Sequence, residues 1–150
     1  MLQILERIQQ IKLDDILFNV FSMDDVQQFI IELNTKHQLF DSGEDSKGKS
    51  LASIGGAYLQ STINIKRRLG LPTDRVTLFH TGDFYDTFVV IPLRNGDFII
   101  DSNPIKEDTV NLFDRYGADV EGLQKESVEM LTAFIAPLIV EEFEKFVQSY

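Results

Sequence analysis

The sequence predicts an α+β fold with N-terminal helices, a central antiparallel β-hairpin or small sheet, and a long C-terminal helix packed on it. Apolar residues recur at helical spacing toward both ends of the chain, and Asn95-Gly96 separates two β-rich runs near the middle. Breaks rich in Gly, Ser and Pro fall between these stretches, with no internal repeat or low-complexity tract. With 150 residues, twelve of them Phe, and 43% hydrophobic composition, one domain with one core is expected, residues 1–20 being either part of it or an appended arm.

Leu2, Leu5, Ile8 and Ile11 (or Leu13) recur at three-residue steps and predict a first helix near residues 2–17. Asp24, or Ser22 before it, is the expected N-cap of a second helix. There Val26, Phe29, Ile30, Leu33, His37 and Phe40 share a face, and the helix ends at Asp41-Ser42-Gly43. Residues 41–60, and 41–57 most clearly, carry Gly, Ser and charge without either period. They read as a long loop, a kind of segment that is usually functional or ordered by a partner.

Ser61 or Thr62 is placed to cap a short basic helix through Lys66, Arg67 and Arg68, which Gly70 ends and Pro72 prevents from continuing. Thr81-Gly82-Asp83 marks a turn, with Gly82 able to take a positive φ and Phe84 and Phe88 anchoring the next strand. Runs at 87–93 and 97–101 flank Arg94-Asn95-Gly96 as a hairpin, because Asn and Gly both accept positive φ, and Pro92 marks a strand end or edge. Asp108 or Glu107 opens a short helix over 110–116 that Gly117 closes, and 118–120 is read as a third strand. Val128, Leu131, Ile135, Leu138, Ile139, Phe143, Phe146 and Val147 predict a long helix over 125–148 with a kink at Pro137.

The formal charge is −10 and the isoelectric point about 4.5, so binding of nucleic acid through the whole surface is not expected. The absence of cysteine removes disulfides, thiolate metal sites and cysteine nucleophiles. The opening stretch holds Glu6, Arg7 and Lys12, and the apolar run 130–140 is short and contains Pro137. Neither reads as a signal peptide or a membrane span, and a soluble protein used inside a cell is expected.

Candidate chemistry is sparse, and no catalytic, metal or cofactor site is assigned. His37 lies on an apolar helix face without a second histidine at ligand spacing, and reads as a core residue. His80 could pair with Asp83 or Asp86 for acid–base work, yet no serine motif accompanies it. Asp41, Glu44 and Asp45 suggest a hard-cation loop, but counting from Asp41 places Gly43, Ser46 and Ala52 where an EF-hand needs an oxygen ligand, glycine and glutamate. Gly48, Gly55 and Gly56 are too scattered for a phosphate cradle. Lys66, Arg67, Arg68 and Arg75 form a basic cluster in an acidic chain. It is open to three readings: a solvated face, a contact with the acidic surface of a second copy, or a nucleic-acid contact.

The stretch 40–90, about a third of the chain, resembles the virion-morphogenesis or tail-completion proteins of tailed bacteriophages, which sit at or near the head–tail connector. The likeness is an order of features: Phe40, a loop with Asp45 and Gly48, then Tyr58, Thr62, Lys66, Gly70 and Pro72, and finally Thr81-Gly82-Asp83-Phe84-Tyr85 leading into a strand. Leu59 and His80 stand where a small polar and an acidic residue are usual, and residues 1–20 lie outside the match.

The resemblance implies a non-enzymatic, cofactor-free structural subunit that closes a six- or twelve-fold ring. Its implied neighbours are connector, portal or tail proteins, with DNA only passing through a lumen and no membrane contact. It would be made in the host cytoplasm and reside in the virion. Ring closure needs heterologous contacts, for which Lys66, Arg67, Arg68 and Arg75 are the candidate charges. Two other classes compete: a small acidic adaptor or inhibitor that binds a basic partner, and a hydrolase using His80 with Asp83.

Overall fold

A computed structural model describes residues 2–106 and 110–148. The side chains of Leu2, Ile8 and Ile11, and the helix start expected at Glu107 or Asp108, lie outside the described residues. The fold is α+β, with one buried cluster running from Ile16 to Ile135.

Helix α1 (Leu2–Phe21) is longer than its periodicity predicts and packs along the C-terminal helix. Among its described side chains Ile16, Val20 and Phe21 are buried, whereas Leu5 and Leu13, expected on the inner face, are exposed. Helix α2 (Asp24–Glu32) has Met23 at its N-cap, without a side-chain bond, in place of the expected Asp24 or Ser22. Asp24 and Asp25 lie in its first turn, where their charge faces the positive helix end. The chain runs on without a break into a π-helical stretch, Leu33–Ser42, and stops at Gly43 as expected, with φ 62°. Glycine is required there: a Cβ would stand 2.9 Å from both the Val76 carbonyl and Arg75 Cβ.

The expected long loop is folded onto the domain. Glu44 bridges Ser50, and a helical turn, α3 (Leu51–Gly55), buries Leu51 and packs on α6 (Leu112–Tyr116). Gly55 allows this approach, since a Cβ would lie 2.5 Å from the Tyr116 ring. Helix α4 (Gln60–Arg68) starts after Leu59 with no side-chain cap, so Ser61 and Thr62 fall inside its first turn. Gly70 ends it with the Leu71 N–H on the Lys66 carbonyl at 2.8 Å, the bond of a Schellman terminus.

One helical turn, α5 (Asp83–Asp86), lies between the expected turn at Gly82 and the strand expected from residue 87. Strands β1 (Val89–Pro92) and β2 (Phe98–Asp101) pair antiparallel, with Val90 opposite Ile100 on the buried face. Of the turn residues only Gly96 takes positive φ, and Leu93 N bonds the Asp97 carbonyl at 2.8 Å. The connection is therefore a three-residue loop with a glycine bulge, where the Asn-Gly pair predicts two positive angles. A second small hairpin, β3 (Ile105–Lys106) with β4 (Val110–Asn111), occupies the expected start of the next helix. Asn111 caps α6 in its place, its side chain accepting the Phe113 N–H at 2.9 Å. The strand expected at 118–120 is a 3₁₀ turn, Ala118–Val120. Helix α7 (Lys125–Gln148) has its predicted bounds and continues through Pro137.

Candidate functional site

Several of the residues singled out between Phe40 and Tyr85 converge on one irregular segment, residues 75–80. Leu78 holds φ 59°, a left-handed angle that costs a non-glycine residue about 1–3 kcal/mol and takes the segment out of regular pairing. Its neighbouring peptide groups therefore need side-chain partners. Tyr58 and Tyr85 supply them at Thr77, which is 0% exposed: Thr77 N–H donates to Tyr58 Oη at 2.9 Å, and Tyr85 Oη donates to the Thr77 carbonyl at 2.5 Å. Lys66 Nζ donates to the Phe79 carbonyl at 2.5 Å and stands 4.7 Å from the centroid of the Tyr58 ring. Phe79 meets Phe40 and Tyr85 edge-on, with centroids 5.4 and 5.2 Å away, and Gly82 leaves room for the Phe79 ring. These residues form a clasp that holds a strained strap.

Burial pushes the Tyr85 hydroxyl well above its usual pKa, and nearby Tyr58 and Asp41 add to the shift. The folded pKa is raised, so this stabilisation is complete below the unfolded value, about 10, and is lost as pH rises toward the folded value. A Tyr85→Phe protein is expected to be less stable at neutral pH, through the lost bond to Thr77, and to show a shallower alkaline decline. Urea melts at pH 8 to 11 measure both, and equal alkaline slopes would refute the assignment.

A second polar network, not anticipated from the sequence, locks 41–49 to 119–124. Asn34 Nδ2 donates to the Val120 carbonyl and its Oδ1 accepts the Gly122 N–H, both at 2.8 Å. Gln38 donates to the Gly122 carbonyl and accepts the Gln124 N–H, again at 2.8 Å. Gln124 Nε2 reaches the Asp45 carbonyl at 2.8 Å, and Ser46 N–H the Asp119 carbonyl at 2.8 Å. The Asp45 carboxylate accepts the N–H groups of Lys47 and Lys49 at 2.9 and 3.0 Å, and Gly48 completes that turn with φ 77°. Asp45 therefore fixes a turn, and the loop is ordered by its own chain. A signal was present: Asn34 and Gln38 continue the Val26-Ile30 stripe at four-residue steps, polar residues on an apolar face.

The basic cluster divides. Lys66 is 4% exposed and committed to the clasp, and Arg75 Nε donates to the Phe40 carbonyl at 2.7 Å while its guanidinium pairs with Asp74. Arg67 and Arg68 remain exposed. Of the other motif residues, Thr62 and Pro72 are half-buried, Gly70 is exposed with open space around it, and exposed Thr81 accepts the Asp83 N–H at 3.4 Å. His80, Asp83 and Asp86 are exposed, and no hydrogen bond or ion pair joins His80 to either carboxylate among the described residues. His37 is half-buried within the π-helical stretch.

Apolar side chains face outward on three surfaces. On the hairpin, Val89, Ile91 and Ile99 are exposed although Val90 and Ile100 already face the core, so both faces are apolar. On α7, Val140, Phe143 and Val147 form an exposed stripe beside Leu13 of α1, bordering a groove of about 290 Å³. On α4 the usual order is inverted: the lysine is buried, whereas Ile65 and Leu69, one helical turn apart, are exposed. No helix among the described residues is long and apolar enough to cross a membrane. In comparisons with family models, curated proteins and solved structures, the chain has no match.

Proposed function

We propose that this chain is a structural subunit of a tailed-phage particle that self-associates into a closed ring at the head–tail connector or in the tail. It acts by assembly and not by catalysis. The supporting observation is the placement of apolar residues on the solvent side of elements whose other side already lies in the core: the β1–β2 hairpin, the α7 stripe and the outer face of α4. Such faces are stabilised when a partner covers them. The phage assignment itself rests on the motif between Phe40 and Tyr85, whose residues maintain the strap and turns of the fold.

In this reading the neighbours are connector, portal or tail proteins, the ring's acidic surface lets DNA pass without retention, and no cofactor takes part. Native mass spectrometry over a concentration series is expected to give closed species at integral multiples of 17.2 kDa, with rings in electron micrographs. A strict monomer that captured a basic protein at low salt would replace the ring with the adaptor reading, which the net charge of −10 favours.

A further inference from the structure

We infer that Asn95-Gly96, at the tip of the β1–β2 hairpin, is a self-modification site where the Asn95 amide is converted to aspartate and isoaspartate. The reaction needs a peptide nitrogen without steric cover after an asparagine, a side chain folded over that peptide, and water. The other asparagines precede Val20, Thr35, Ile65, Pro104 and Leu112, residues that are branched or lack an N–H; Asn95 alone precedes a glycine.

Packing imposes this pair. Gly96 holds φ 89°, and a Cβ there would stand 3.1 Å from both Asp14 Oδ1 and Leu17 Cδ1 of α1. The hairpin tip docks on α1 at that point, where the Arg94 guanidinium also lies 3.7 Å from the centroid of the Phe18 ring. The glycine that lets the tip dock is the residue that leaves its own nitrogen uncovered by a side chain.

Local hydrogen bonds prepare the attack. Asn95 is exposed, and its Oδ1 accepts the Asp97 N–H at 3.2 Å, which curls Cγ over the Gly96 peptide nitrogen. The Gly96 N–H makes a long bond, 3.3 Å, to the Leu93 carbonyl. Solvent base removes that proton, and the nitrogen attacks Asn95 Cγ. Charge develops on Oδ1, where the Asp97 N–H already donates. The Cγ–Nδ2 bond breaks, Nδ2 takes a proton from water and leaves as ammonia, and a cyclic imide remains. Water opens the imide at either carbonyl, giving aspartate or isoaspartate, with nothing oxidised or reduced.

The products loosen the tip. Both add a negative charge near Asp14 and Asp97, while Arg94 is engaged on the Phe18 ring. Isoaspartate also inserts a carbon into the main chain of a loop closed by the Leu93 N–H on the Asp97 carbonyl at 2.8 Å.

The test ages the full-length protein at mildly alkaline pH beside an Asn95→Gln variant, and maps both by digestion and mass spectrometry. The peptide holding residue 95 is expected to gain the mass difference between an amide and an acid at least about tenfold faster than any other asparagine peptide. It should split into two chromatographic peaks of equal mass, and Asn95→Gln should lack the acidic species on ion exchange. Amide exchange over residues 93–97 is expected to be at least about threefold faster in the acidic fraction. Asn95 that stays intact in the folded chain, whether or not it converts in urea, overturns the inference. So does an acidic species that persists in Asn95→Gln. Conversion with unchanged exchange overturns the loosening of the tip.

Discussion

Replacing Asn34 with alanine is expected to lower stability by about 3 kcal/mol, because it strands one buried and one partly buried backbone group at a cost of about 1–3 kcal/mol each and leaves a small void. Those groups are the Val120 carbonyl and the Gly122 N–H, each bonded to Asn34 at 2.8 Å. Asn34 is 0% exposed, so no water replaces the amide. The loss is a large share of the roughly 5–15 kcal/mol that holds an ordinary domain together. Denaturant melts measure it, and a change below about 1 kcal/mol would mean that the 120–124 segment finds other partners. Proteolysis should localise the damage, with cleavage near residues 44–49 and 119–124 rising before the rest of the chain, since Gln38 and Gln124 depend on the same junction.

Gly43→Ala is expected to cost about 3 kcal/mol, combining about 1–2 kcal/mol for a Cβ in the left-handed region with about 1–3 kcal/mol of overpacking. The added carbon would stand 2.9 Å from the Val76 carbonyl, a backbone atom of the strap, so relief requires moving the segment that Tyr58 and Tyr85 hold. Gly70→Ala is the control. Its φ of 71° carries the same conformational cost, but nothing lies within 4 Å of the new carbon. Thermal melts of the two variants separate the clash from the angle. If Gly43→Ala proved no worse than Gly70→Ala, close packing of the end of the π-helical stretch against the strap would be refuted.

Much of the architecture was legible because its signals are local. Eight apolar positions at helical spacing mark α7 with its correct ends, Asn95-Gly96 marks the hairpin, and Gly43 and Gly70 mark helix stops, since each signal spans only a few neighbouring residues. The errors arose where a local signal competes with a distant partner. Ser61 and Thr62 have capping side chains, but the helix starts at Gln60. Residues 110–111 pair with 105–106 before the expected helix begins. Leu5 and Leu13 fit an inner face, but packing along α7 leaves both exposed.

The amino-acid sequence by itself determined the fold class, the order of its main elements and the acidic charge. Only the tertiary structure decided what the polar residues do. Lys66 is a cation in the sequence and an internal brace in the fold, because the Phe79 carbonyl, 13 residues away, is left without a strand partner by the turn at Leu78. Asn34 and Gln38 interrupt an apolar stripe in the sequence and bind backbone in the fold, because residues 120–124 come to lie across that stripe. Side-chain periodicity repeats within a turn or two of its element, whereas the burial of a polar group depends on segments brought together from across the chain.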